Sequence, residues 1–161
     1  MEAARPATPD DVERLAVLAA EALDEQAEGR GGRIWSQREA RAVPAHESLL
    51  AAIADPEQLV LAATIDDFPV GYAVTGLERL RTGAMLGVVH DIYVEPGARA
   101  VGCGEALIEE VIAWCRGHGC IGIDALALPG NRDTKNFFET FGFTARALVV
   151  HRRLDAPAPA P

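Results

Sequence analysis

The residues best placed to do chemistry lie in one stretch, Arg99-Ala100-Val101-Gly102-Cys103-Gly104. It sits between an apolar run that ends at Val94 and a segment with helical spacing that opens near Gly104. A strand that runs into a glycine-containing loop and then a helix N-terminus gathers unpaired backbone N–H groups at one spot. The helix macrodipole adds partial positive charge there, which suits a phosphate or pyrophosphate. Gly102 and Gly104 remove Cβ atoms that would hold an anion off the backbone, and Arg99 adds a forked cationic donor. The same residues also read as a tight strand-to-helix turn, with glycines there for steric reasons alone. Dinucleotide motifs fit worse: the residue three after Gly104 is Leu107, so GxGxxG is absent, and no GK[ST] follows a glycine run. Just upstream stand His90, Asp91 and Tyr93. Strict alternation places Val88, His90, Ile92 and Val94 on one face of their strand, with Val89, Asp91 and Tyr93 on the other.

The flanking sequence supplies elements to hold that loop. Ala4 to Thr8 reads as a short strand that enters a turn, and Thr8-Pro9-Asp10-Asp11 supplies a helix start with a hydroxyl N-cap, Pro at the first position and acids in the first turn. Val12, Leu15, Val17, Leu18 and Leu23 give this helix an apolar face to about residue 27. The glycines between Glu28 and Arg33 break it and predict a mobile segment. A short helix follows over 45–54. Gln58 to Thr64 and Val70 to Leu77 read as an antiparallel hairpin around Asp66-Asp67-Phe68-Pro69, and Gly83 to Val94 as a third long strand. Leu107, Ile108, Val111, Ile112 and Cys115 recur at helical spacing, and Gly117-His118-Gly119 ends that helix. Ile121 to Leu128 reads as a strand, Thr134 to Phe141 as a helix and Phe143 to Leu154 as a last strand. A strand, a helix and a strand make a right-handed crossover that joins two parallel strands. The expected fold is α/β with a mixed, mostly antiparallel sheet, in one domain over 1–154, with a disordered Ala-Pro tail over 155–161.

Composition narrows the partners. The 161 residues carry a formal net charge of -9, which makes a nucleic-acid backbone a poor partner. No apolar run reaches the ~18 residues of a membrane span, and no signal-peptide pattern opens the chain. Cys103, Cys115 and Cys120 are odd in number and form no CxxC pair, so reduced thiols in the cytoplasm are expected, with no metal site.

Three pieces in order, Ile92-Tyr93-Val94-Glu95-Pro96, Arg99-x-x-Gly102-x-Gly104 and Asn131-x-x-Thr134-x-x-Phe137-Phe138-Glu139-x-Phe141-Gly142-Phe143, resemble the GNAT family of N-acetyltransferases. The element order matches over about residues 4 to 154, and the motifs are sharp over 88–143. The resemblance implies an acyl-CoA N-acyltransferase fold in which the strand before the loop splays from its parallel neighbour. It implies acetyl-CoA as donor, its pyrophosphate on the backbone N–H groups of Val101, Gly102, Cys103, Gly104 and Glu105, and its pantetheine arm beside Ile92, Tyr93 and Val94. The N–H of Ile92 or its neighbour would then polarise the thioester carbonyl. Asn131 matches the family's Asn that bonds the arm and reads equally as a helix N-cap. The chain departs from the pattern at Ala100, where Gly is usual, and at Phe138, where many members carry the Tyr that protonates the departing thiolate.

An attacking ammonium must first lose a proton, so a base is expected. His90 occupies the position where some members carry one, with Asp91 and Tyr93 as further candidates. Lys135 could meet the 3′-phosphate of the nucleotide or be a solvated side chain. On the acceptor side, Arg30, Arg33, Trp35, Arg38 and Arg41 reverse the local charge of an acidic chain. Arg33, Trp35 and Arg38 in particular suggest a lid for a carboxylate or phosphate on the acceptor. The implied function is direct acetyl transfer to a small primary amine, by a chain that pairs as a homodimer as family members often do. A protein amine acceptor, or a non-catalytic acetyl-CoA sensor, is the alternative.

Overall fold

The structure is a computed structural model that describes residues 1–155. Two compact units divide the chain, Met1–Asn131 and a second that begins at Arg132. The first holds β1 (Glu2–Pro6), α1 (Val12–Ala27), α2 (Gly32–Arg38), α3 (His46–Ala54), β2 (Gln58–Ile65), β3 (Phe68–Arg79), β4 (Met85–Val94), α4 (Cys103–Gly117) and β5 (Cys120–Ala125). The sheet order is β1-β2-β3-β4-β5, with antiparallel pairing as far as β4 and a parallel β4–β5 pair. That is the mixed sheet the sequence predicts.

Each face of the sheet is covered by helices with an apolar stripe. On one face Leu15 and Leu18 of α1 and Leu49 of α3 pack with Val60, Ala62, Tyr72, Val74 and Tyr93. On the other, α4 buries Leu107, Ile108 and Val111. Gly87 of β4 lets α4 approach closely: a Cβ there would sit 2.5 Å from Cys115 Sγ. The N-terminal end is tied down by Asp11. Its carboxylate accepts two hydrogen bonds from Arg5, at 2.8 and 2.9 Å, and one from the Thr8 N–H at 2.8 Å.

Two elements differ from the sequence reading. The glycines over 29–32 end α1 as expected, but they form a tight reversal that starts a helix, α2, absent from the sequence reading. Gly32 N–H donates to the Gly29 carbonyl, Gly31 takes φ +78°, and a Cβ on Gly32 would lie 2.0 Å from the Gln26 carbonyl oxygen. The expected final strand over Phe143 to Leu154 does not form. The second unit contains α5 (Arg132–Thr140) and the turn at Gly142 but no strand to pair with, and Leu148, Val149 and Val150 are 81–92% exposed. β-propensity without a backbone partner does not make a strand. The expected disordered tail lies, beyond Asp155, outside the described residues.

Arg5 and the Thr8 amide hold the Asp11 carboxyl below its usual range. The stability this contributes is present above the unfolded pKa of about 3.9 and is lost as pH falls through the lowered folded value. Asp11→Asn is expected to cost about 2 kcal/mol near neutral pH. Its difference from the natural chain should shrink below about pH 4 in denaturant titrations across pH.

Candidate active site

The site is built around an irregularity in β4. Asp91 pairs with Val74, but the next pair is Val89 with Thr75, so β4 has one residue more than β3 at this point, His90. A bulge of this kind breaks the inside-outside alternation. Asp91 and Tyr93 lie opposite Val74 and Tyr72 on the α1/α3 face, whereas Val89 and Ile92 lie opposite Thr75 and Ala73 on the α4 face. His90 falls on the α1/α3 face, its ring over Gly76, where an added Cβ would meet Nε2 at 2.7 Å. Strict alternation put His90 on the face of Ile92 and opposite Asp91. The bulge reverses both relations.

The bulge lies where β4 loses its neighbour. Pairing with β5 runs from Met85 to Val89, and β4 has no strand partner on that side beyond Val89 among the described residues. Which amides this exposes follows from the ladder. Glu95 N–H donates to the Val70 carbonyl at 2.9 Å, and hydrogen-bonded and non-bonded pairs alternate in an antiparallel ladder. The Gly71–Val94 and Ala73–Ile92 pairs are therefore non-bonded, and the N–H and C=O groups of Ile92 and Val94 point away from β3 toward the open edge. The Val94 carbonyl bears this out, because it accepts from Arg99 Nε at 2.7 Å. Tyr93, between them, is bonded to β3.

Past β4, a 3-10 turn over Pro96–Ala98 leads to Gly102, which caps α4 with φ +92°. The left-handed conformation is what requires glycine here, since an added Cβ would find open space. The first helical bond runs from Ala106 N–H to the Gly102 carbonyl, and no side chain caps this end. The N–H groups of Cys103, Gly104 and Glu105 therefore lack an acceptor within the helix. Val101 and Ala100 are exposed beside them. The Cys103 side chain points into the core, where burial raises its thiol pKa, so it is a packing residue.

Two expected site residues are engaged elsewhere. Arg99 reaches inward: besides the Val94 carbonyl it contacts Glu25 Oε2 at 2.6 Å, and its guanidinium lies 5.4 Å from the centre of the Tyr93 ring. Its charge is largely matched by Glu25, whose carboxyl it holds below the usual range. Arg99 thus anchors the loop to α1 and contributes much less cationic charge to an anion site than its type suggests. Asp91 is held still more firmly. Arg41 Nε and Nη2 donate to its two oxygens at 2.8 Å each, and the Tyr72 hydroxyl donates to Oδ2 at 2.8 Å. Both carboxylate oxygens are thus engaged, by three hydrogen bonds from two donors, one of them a bidentate cation. Tyr93 is buried, and burial followed by Glu25 and Glu21 pushes its phenol pKa up to about 12. It stays protonated at neutral pH.

In the basic stretch, Trp35 is half-buried on α2, Arg33 is exposed beside it, and Arg38 pairs with Glu39. Gly31 lies against Pro129, and the stem of Arg30 against Gly130, which brings the α1–α2 turn to the loop after β5. Asn131 N–H donates to the Leu128 carbonyl in that loop. In the second unit, Phe138 packs its ring on Phe137 and Phe143, and Lys135 makes an exposed pair with Glu139. Sequence reasoning missed Tyr72, Glu25 and the role of Arg41. Arg41 stood out as part of the basic stretch, but its partner is 50 residues away and no local spacing reveals it.

The model of the Acetyltransferase (GNAT) family matches residues 16–143. No curated protein matches the sequence. Among solved structures, a tetramutant of the BH1408 protein from Bacillus halodurans superposes with a TM-score of 0.80 at 22% identity, covering 94% of this chain and 99% of that one. A transcriptional regulator from Bacillus halodurans C-125 gives 0.72 at 17%, covering 96% and 100%. AAC(6')-Iy in complex with the bisubstrate analogue CoA-S-monomethyl-acetylneamine also gives 0.72 at 17%, covering 97% and 99%. At these identities the structures establish the fold, and they agree with the splayed mixed sheet. With the family match spanning most of its length, the chain belongs to the GNAT acetyltransferase family.

Proposed function

We propose that the protein is an acetyl-CoA-dependent N-acetyltransferase that moves an acetyl group directly to a primary amine of a small molecule, with residues 1–154 as one catalytic domain. The observation that carries this reading is the open edge of β4, where the N–H groups of Ile92 and Val94 face a gap left by β5. An extended amide-bearing chain such as a pantetheine arm satisfies those groups as a strand would. The uncapped N–H groups of Cys103 to Glu105 then take the pyrophosphate, aided by the α4 dipole. Gly102 holds that turn, with Val101 and Ala100 at its rim. In this reading Asn131 adds a cofactor contact from the loop after β5.

The amine nitrogen attacks the thioester carbonyl carbon, the carbon–sulfur bond breaks, and CoA leaves as a thiolate. The Ile92 N–H donates to the carbonyl oxygen as negative charge develops on it. The amine proton passes to His90, whose exposed imidazole has no hydrogen-bond partner among the described residues. Phe138 has no proton to give, so water protonates the thiolate. Arg33, Trp35 and Arg38 border the acceptor. We place the protein in the cytoplasm, on its three unpaired thiols.

One observation favours a second reading. Phe138 and the engaged Asp91 leave few proton donors and acceptors, as in a chain that binds acetyl-CoA without turning it over, and a similar structure is that of a transcriptional regulator. Release of free CoA across a library of amines separates the two: tight binding with no release on any amine supports the sensor. Calorimetric silence toward every CoA species sinks both.

Two variants check the chemistry. His90→Ala is expected to lower kcat by roughly 10²- to 10⁴-fold and remove the acidic limb of the pH–rate profile, with little change in the KM for acetyl-CoA. Gly102→Ala places a side chain at φ +92° and should weaken acetyl-CoA binding about tenfold in calorimetry while lowering stability by about 1–2 kcal/mol.

A further inference from the structure

We infer that Arg41 is a positioning residue for acetyl transfer: through Asp91 it fixes the β4 bulge so that the Ile92 N–H points into the open edge. The inference rests on the acetyltransferase reading and names a residue outside the family's sequence motif. Arg41 belongs to the connection between α2 and α3, on the acceptor side. Its side chain is 13% exposed and that of Asp91 7%. Besides the two bonds to Asp91, Arg41 Nη1 donates to Ser48 Oγ at 2.9 Å, and Ser48 Oγ donates to the Ala45 carbonyl at 3.2 Å. The guanidinium thus grips the bulge along its Nε–Nη2 edge and is held by α3 through Nη1.

The geometry makes this grip consequential. A bulge lacks the regular pair of ladder bonds that fixes each peptide plane elsewhere in a strand. Here the extra residue, His90, immediately precedes Asp91, and the peptide that carries the Ile92 N–H immediately follows it. Fixing the Asp91 carboxylate from two sides, by Arg41 and by the Tyr72 hydroxyl, restrains the backbone on which that N–H is mounted. Tyr72 remains a donor at any working pH, since burial pushes its phenol well above the usual range. A donor aimed at a developing oxyanion loses most of its effect when it swings away by a few tenths of an ångström. Arg41 also joins the acceptor-side loop to this amide, so a disturbance of one is felt at the other.

The test compares the natural chain with Arg41→Lys, Asp91→Asn and the paired replacement Arg41→Met with Asp91→Leu. Burying two apolar side chains in place of the ion pair keeps the protein folded even where a single replacement strands a charge. Lysine keeps the charge but not the fork, and should lower kcat by roughly 10- to 100-fold with the KM for acetyl-CoA within about threefold. The apolar pair should stay folded, short of the natural chain in thermal denaturation by no more than the stranded Tyr72 hydroxyl costs, yet keep the low kcat, with faster exchange of the ladder amide of Tyr93. Asp91→Asn should lower kcat while leaving the shape of the pH–rate profile intact. Natural kcat in the apolar pair would reduce Arg41 to a structural ion pair and overturn the inference. Loss of the acidic limb in Asp91→Asn would overturn it too, by making Asp91 the base. If the natural chain transfers acetyl to no amine, the acetyltransferase reading fails separately. Amide exchange at Tyr93, bonded to β3 just beyond the bulge, still decides the matter then: faster in the apolar pair supports the grip, unchanged refutes it.

Discussion

One extra residue in one strand organises this molecule. Opposite Val74 and Thr75, β4 must fit three residues where β3 has two, and the consequences run outward from that mismatch. The side chains of His90 and Asp91 are brought to the same face. Directly beyond, β4 parts from β5, and two backbone amides that a regular parallel ladder would consume are left facing a gap. A sheet interior does not tolerate unsatisfied amides. An edge that opens only where a ligand's own amides can enter does. The buried Arg41–Asp91 pair then holds the irregular backbone in a single conformation, and ion pairs serve such a purpose better than they serve raw stability.

The electrostatics follow an unusual economy for a protein that would hold a polyanion. The net charge is -9, yet the charge of the arginine nearest the loop is matched by a carboxylate, Glu25. Arg99 is drawn inward by Glu25, the Val94 carbonyl and the Tyr93 ring, and so fixes the loop to α1. Attraction at the loop is left to neutral donors: amides at the start of α4, with the helix dipole behind them. Such donors are rigid and need no side-chain ordering on binding, so the site is organised before a ligand arrives. Cys103, the side chain most suggestive of reactivity within the loop, faces the core and serves packing.

The acceptor side is joined to this frame at two places. Gly31 at φ +78° lets the α1–α2 turn lie against Pro129, and Arg41 ties the α2–α3 connection to the bulge. The basic stretch read from the sequence as one lid therefore divides by function. Arg41 is buried against Asp91, Arg38 pairs with its neighbour Glu39, and α2 carries Arg33 exposed and Trp35 half-buried.

The sequence by itself determined the elements whose signals are local. Apolar periodicity marked α1, α4 and the hairpin of β2 and β3, glycines marked the entry to α4, and a crossover around α4 made β4 and β5 parallel. Three motif pieces in order, over 92–96, 99–104 and 131–143, were together enough to name the family, and the second of them marked the loop. What it could not determine was anything that depends on a partner distant along the chain. A bulge is a count of residues on two strands, so alternation along β4 alone put His90 on the wrong face. Asp91 and Arg99 looked available because Arg41 and Glu25 lie 50 and 74 residues away. Likewise the apolar run after Gly142 has the composition of a strand, but a strand exists only where another backbone accepts its hydrogen bonds. Residue type and spacing settled which groups are present; only the tertiary structure decided which of them are already spoken for.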